Sequence, residues 1–174
     1  STPSCGSIQG TGVGVGRVAR VYLDIMPGMC PNWFIPGEVS VPVAVAILGT
    51  SNFNVTQIDP SSIRLKRDWS SGAVEPIEWW YADVGTPYTG SVRCGCNSLG
   101  GDGYQDLVLI VRKSDMEDSL ALSHFAGKTV PLFVVGKLLN HVTLVGYDCV
   151  RVGGGGVEPD EEGLVTLAHL VQVF

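Results

Sequence analysis

The sequence predicts an all-β fold: a β-sandwich, immunoglobulin-like or jelly-roll-like, with one short helix and extra strands at its two termini. Three observations carry this. Apolar residues recur with period two, or as continuous strand-length runs, through most of the chain. Glycine (23 residues) and proline (10) break those runs at short intervals, as turns between strands require. Only the stretch from Ser114 has the cap and spacing of a helix. The 174 residues suffice for one domain with a sizeable core plus extensions. They divide into a Gly-rich N-terminal strand (1–19), a sandwich body (20–152) and a Gly/acidic linker with a C-terminal strand (153–174).

The elements follow in order. SIQGTGVGVGRVARVYLDIM (7–26) alternates, with Gly10, Gly12, Gly14 and Gly16 on one face and Val13 and Val15 on the other; farther on, Val21, Leu23 and Ile25 share a face. Its GxGxG is not a dinucleotide fingerprint, because a strand follows it where that motif needs a helix. After a Pro/Gly-rich loop, VSVPVAVAILG (39–49) reads as a buried strand, with Pro42 at an edge or at its start. A turn at Asp59-Pro60 precedes a strand around Ile63–Leu65; EPIEWWY (75–81) and DLVLIVRK (106–113) are further strands, separated by a Gly/Cys/Asp loop. Ser114 caps the helix, Glu117 completes a capping box, and Met116, Leu120 and Leu122 supply apolar contacts. TVPLFVVGKLL (129–139) and VTLVGYDCVRV (142–152) form a hairpin turning at Asn140-His141.

Composition narrows the function classes. Hydrophobic residues make up 45% and charged residues 16%, which excludes a disordered, highly charged chain. A formal charge of −6 argues against nucleic acid or anionic membranes as partners. No apolar run approaches the ~20 residues of a membrane span, so no membrane insertion is expected. The chain starts without Met or a signal segment, as a processed secreted protein or a trimmed piece does. Five cysteines (Cys5, Cys30, Cys94, Cys96, Cys149) in such a chain imply an oxidising compartment. Five is odd, so at least one is free or pairs between chains. Spacing does not dictate the pairing; the positions of Cys30 and Cys149, each beside a core strand, favour a bridge between them. Cys94-x-Cys96 is too tight for a zinc knuckle, and no His is near it.

Five stretches carry a resemblance. They are Asp24-Ile-Met-Pro-Gly-Met-Cys-Pro-Asn32, Val43-Ala-Val-Ala-Ile-Leu-Gly-Thr50, Phe53-Asn-Val-Thr-Gln-Ile-Asp-Pro60, Asp102-Gly-Tyr-Gln-Asp-Leu107 and Gly146-Tyr-Asp-Cys-Val-Arg-Val152. Together they resemble a small β domain that recurs in secreted and cell-surface proteins of bacteria and archaea, over about 22–152. The resemblance implies an extracellular β module without enzymatic activity, with Cys30 and Cys149 paired. Residues 1–19 and 153–174 are extensions beyond that pattern.

No catalytic constellation is legible. His124, His141 and His169 are scattered, and neither HExxH nor GxSxG occurs. The carboxylates at Glu75/Glu78 and Asp115/Glu117/Asp118 read as a solvated strand edge and a helix start. Calcium is the one cofactor expected: Asn97, Asp102 and Asp106 are oxygen donors in a Gly-rich loop, although the EF-hand pattern is not met. Trp79, Trp80, Tyr81 and Tyr88 are candidates for a glycan-stacking surface, and Asn54-Val-Thr56 is a glycosylation sequon.

The C-terminal segment LVTLAHLVQVF (164–174) is apolar on both faces. Val165, Leu167, Val171 and Val173 lie on one, and Leu164, Ala168, Leu170 and Phe174 on the other. Such a strand must be buried on both sides. The ten residues Gly153 to Glu162 can span up to ~33 Å, enough to reach a neighbouring molecule. The expected function is therefore a non-enzymatic subunit of an extracellular, pilus-like filament or surface assembly. It would form a homopolymer by donor-strand complementation, with Leu164, Val165, Leu167, Leu170, Val171, Val173 and Phe174 as the donated strand. The alternative is a monomeric calcium- or carbohydrate-binding module of a larger secreted protein.

Overall fold

The computed structural model describes residues 16–37 and 41–154. The strands are β1 (Val18–Arg20), β2 (Tyr22–Ile25), β3 (Trp33–Phe34), β4 (Val43–Leu48), β5 (Ile58–Lys66), β6 (Glu78–Ala82), β7 (Asp106–Val111), β8 (Thr129–Leu138) and β9 (Thr143–Val152). One α-helix, α1 (Lys113–Leu120), and 3₁₀ turns at Val55–Gln57 and Leu122–Phe125 complete the described elements. The strands form two packed sheets, an all-β sandwich. The first runs β1-β9-β8-β5, with β3 also pairing to β9; the second runs β2-β4-β7-β6. Alternation fills the space between them: Leu23, Ile25, Val45, Ile47, Leu107 and Leu109 from the second sheet meet Ile63, Leu65, Leu132, Val134, Leu144 and Val150 from the first.

The two sheets share one stretch of chain. β1 pairs in parallel with β9, ending at Arg20 opposite Val145. The Val21 N–H still donates to the Val145 carbonyl at 3.0 Å. One residue later the chain has left that sheet, and β2 pairs antiparallel with β4, Tyr22 opposite Leu48. The crossing is tight. A Cβ on Gly146 would lie 2.9 Å from the Val21 carbonyl oxygen, so only glycine permits the approach.

Several expectations shift for identifiable reasons. The alternating run that includes residues 18–25 reads as one strand but serves two sheets, because it bends at Val21. Of the two placements expected for Pro42, the structure has the strand start: it directly precedes β4, which is interior to its sheet. Asp59-Pro60 does not end a strand. β5 runs through it, and its register against β8 shifts between Asp59 and Arg64. Asp59 accepts from the Ser61 N–H at 3.1 Å, so turn chemistry produces a bulge within the ladder. The helix begins at Lys113 with Arg112 in the cap position, because β7 runs directly into it. Ser114 therefore falls inside the first turn, and the Glu117 carboxylate accepts from the Gly37 N–H at 2.6 Å instead of closing a capping box. Residues 1–15 of the expected N-terminal strand (1–19), and the expected strand 164–174, with Cys5 and His169, lie outside the described residues.

Gly146→Val tests the crossing. Its side chain must displace Val21, and we expect a loss of about 1–3 kcal/mol in urea denaturation; unchanged stability would show that the two strands are not in tight contact.

Candidate functional site

The segment from Asp83 to Gly101 has no regular structure, yet it is held at many points. Asp106, at the start of β7, is completely buried and anchors one end. Its Oδ2 accepts from the N–H groups of Val84 (2.8 Å) and Gly85 (3.1 Å), and its Oδ1 from Gly49 (2.9 Å). Asp83 accepts from the N–H groups of Asp102 (2.9 Å) and Gly103 (2.8 Å), closing the loop on itself. Within it, the Thr86 hydroxyl donates to the Gly100 carbonyl (2.7 Å) and the Asn97 amide donates to the Thr86 carbonyl (3.2 Å).

Two disulfides pin the loop to the body: Cys30–Cys96 and Cys94–Cys149, with Cα separations of 5.6 and 5.3 Å. The expected Cys30–Cys149 bridge is thus corrected. Cys30 follows β2 and Cys149 lies on β9, and the Cys94-Gly95-Cys96 tripeptide binds one cysteine on each side. Gly95 packs against the end of the Tyr88 side chain, whose hydroxyl would have to move aside for a Cβ there.

Beneath the pinned loop is a cavity of ≈ 10 Å³, room for about one water-sized body. Asp24, Asp148, Thr86, Asn97 and Tyr88 are among the residues that line it. Asp24 reaches it from β2 and Asp148 from β9, where Asp148 occupies the same inward row as Leu144 and Val150. Asp148 accepts from the N–H groups of Ile25 (2.7 Å) and Cys149 (2.7 Å) and from the Asn32 amide (3.1 Å). Asp24 is 8% exposed, and its Oδ2 has no hydrogen-bond partner; nor does Oδ1 of Asn32. Burial, then the charges of Asp148 and Asp106, push the Asp24 carboxyl up to about 7. Burial also raises Asp148 and Asp106, against the pull of the N–H groups they accept from.

The three residues expected to bind calcium have different hydrogen-bond roles. Asn97 lines the cavity. Asp102 accepts from the Tyr104 N–H in a turn (3.1 Å), and both oxygens of Asp106 serve backbone amides. Among the described residues no three His, Cys, Asp or Glu side chains are grouped to hold a metal. Sequence reasoning misses Asp24 and Asp148 as a pair because they stand at opposite ends of the body in sequence. The available signal is an aspartate in the inward row of a clear strand. Asn54 is exposed and caps the 3₁₀ turn, accepting from the Thr56 N–H at 3.0 Å.

The expected aromatic surface also divides. Trp79 and Tyr81 share one face in an edge-on contact at 5.6 Å, Trp80 has the opposite parity, and Tyr88 is in the loop. A different aromatic row lies on the first sheet. Trp69 stands 4.8 Å from Phe133, and Phe133 stands 5.6 Å from Tyr147. Trp69 and Tyr147 are exposed, and Arg67, Arg93 and Lys128 line the same groove of ≈ 420 Å³.

Comparison with protein-family models, with curated proteins and with solved structures finds no match to this chain.

Two measurements check the site. Cys96→Ser should free Cys30 for alkylation while Cys149 stays protected, as mass mapping of the labelled protein would report; labelling of Cys149 would refute the pairing. Asp106→Ala leaves three N–H groups without their acceptor and should lower stability by about 3 kcal/mol or more in urea denaturation.

Proposed function

We propose that the chain is a non-enzymatic structural subunit of an extracellular assembly, joined to its neighbours by donation of the strand 164–174. The observation that carries this reading is that, among the described residues, the core cluster runs from Leu23 to Val152 and both sheets are built from strands within that span. β9 ends at Val152, and the Gly153 N–H donates to the Phe34 carbonyl at 2.8 Å. Beyond that point the sequence still carries a strand that is apolar on both faces and needs burial. The glycine and acidic tether gives it the reach to find that burial in another copy. Head-to-tail donation does not close on itself and so gives a polymer. Two disulfides support an oxidising compartment, in line with the secreted β domain that the sequence resembles. Among the described residues no helix is long and apolar enough to cross a membrane.

A second reading, a glycan-binding module, is favoured by the Trp69–Phe133–Tyr147 row and its flanking cations. The row offers stacking surface, and Arg67, Arg93 and Lys128 suit an acidic sugar.

Electron microscopy of the purified protein separates the two readings. Strand donation predicts filaments with a regular subunit repeat, and dispersal to monomers when 164–174 is deleted. Monomers in both preparations, with glycan binding lost in Trp69→Ala, would replace the first reading by the second.

A further inference from the structure

We infer that the cavity beneath the 83–101 loop is a calcium site, held by the carboxylates of Asp24 and Asp148 with oxygen donors from the loop. Two carboxylates line one small enclosure, and neither is in an ion pair with a described residue. Asp24 Oδ2 is the decisive atom: it belongs to a side chain more than nine-tenths buried, that side chain lines the cavity, and the atom has no partner. A buried carboxylate oxygen without a donor is costly, and a cation in the cavity removes that cost for both aspartates at once. Asp148 is already oriented by its three N–H donors, as ligating carboxylates commonly are.

The donor set selects the ion. Besides the two carboxylates, Thr86 and Asn97 are in the cavity wall; the Thr86 hydroxyl oxygen and Asn97 Oδ1, which accepts one N–H bond from Leu99 (3.1 Å), keep lone pairs of the kind a hard cation takes. Cys96, also in the wall, is committed to a disulfide and offers no thiolate. Calcium accepts a mixed, irregular oxygen shell, whereas magnesium demands near-octahedral geometry. Bound calcium would tie the loop to β2 and β9, the same parts of the body that the two disulfides engage.

The site stands independently of strand donation, because binding is read per chain whether or not the chains assemble. The test uses the full chain, stripped with EDTA and titrated with calcium chloride. Wild type should bind one calcium per chain by calorimetry. Its Tm should rise by roughly 5–10 °C at calcium about a hundredfold above Kd. Terbium, a calcium substitute, should show emission sensitised by Tyr88 in the cavity wall and quenched by added calcium. Asp24→Asn should melt higher than wild type in EDTA, having lost a buried charge, and should lose the calcium response. No calcium-dependent shift and no terbium emission in wild type would overturn the site, leaving a cavity that holds water or a shared proton. A calcium response undiminished in Asp24→Asn would overturn it equally. The terbium titration of wild type needs no variant and decides the matter if the Asp24→Asn chain fails to fold.

Discussion

The passage of one strand from sheet to sheet at Val21 sets the rest of the structure. Because β1 belongs to the first sheet and β2 to the second, that side of the sandwich is closed by covalent chain. The closure brings β2 beside β9, so Asp148 can accept from the Ile25 N–H. It also sets Cys30 and Cys149 near enough for one short tripeptide to engage both. All of this rests on Gly146, where the absence of a side chain lets two backbones approach. Elsewhere the sandwich is held by ordinary apolar packing, which tolerates adjustment far better.

The loop over this seam is ordered by polar chemistry. Its conformation is dictated by Asp106, Asp83, Thr86 and Asn97 together with two covalent bridges. Each bridge closes a long segment, 66 and 55 residues in sequence separation, and is worth about 4 kcal/mol on chain-entropy grounds. Such restraint holds two carboxylates in a small enclosure that packing alone would disfavour. On the calcium proposal, an oxidised loop and a filled cavity would support each other: the bridges keep the acidic groups together, and a cation there would relieve their repulsion.

Assembly and cation binding draw on different parts of the molecule. Among the described residues the core cluster lies within Leu23–Val152, and the strand proposed for donation, 164–174, lies outside the described residues. A body stiffened by two disulfides and a bound ion is well suited to transmit load along a polymer, which gives the two proposals a common physical sense without making either depend on the other.

The sandwich is legible in the chain alone, because pattern is a local property: the continuous apolar run of β7, the largely period-two runs of β8 and β9, and the opposite facing of Trp79 and Trp80 mark strands. So are the anomaly of Asp148 in an inward row and the burden of an apolar tail. Proximity between distant segments is a different matter, and only the folded arrangement settles it. Local pattern says nothing of which cysteines meet, and Cys30 and Cys149, close in the fold, are each claimed by the loop between them. The same holds for Asp24 with Asp148, and for Trp69 with Phe133 and Tyr147, whose meeting depends on which strands the sheets place side by side. Asp106 shows the limit from the other direction: nothing local in the sequence announces the three backbone amides its carboxylate accepts from, because they come from Gly49, Val84 and Gly85, which only the fold delivers there.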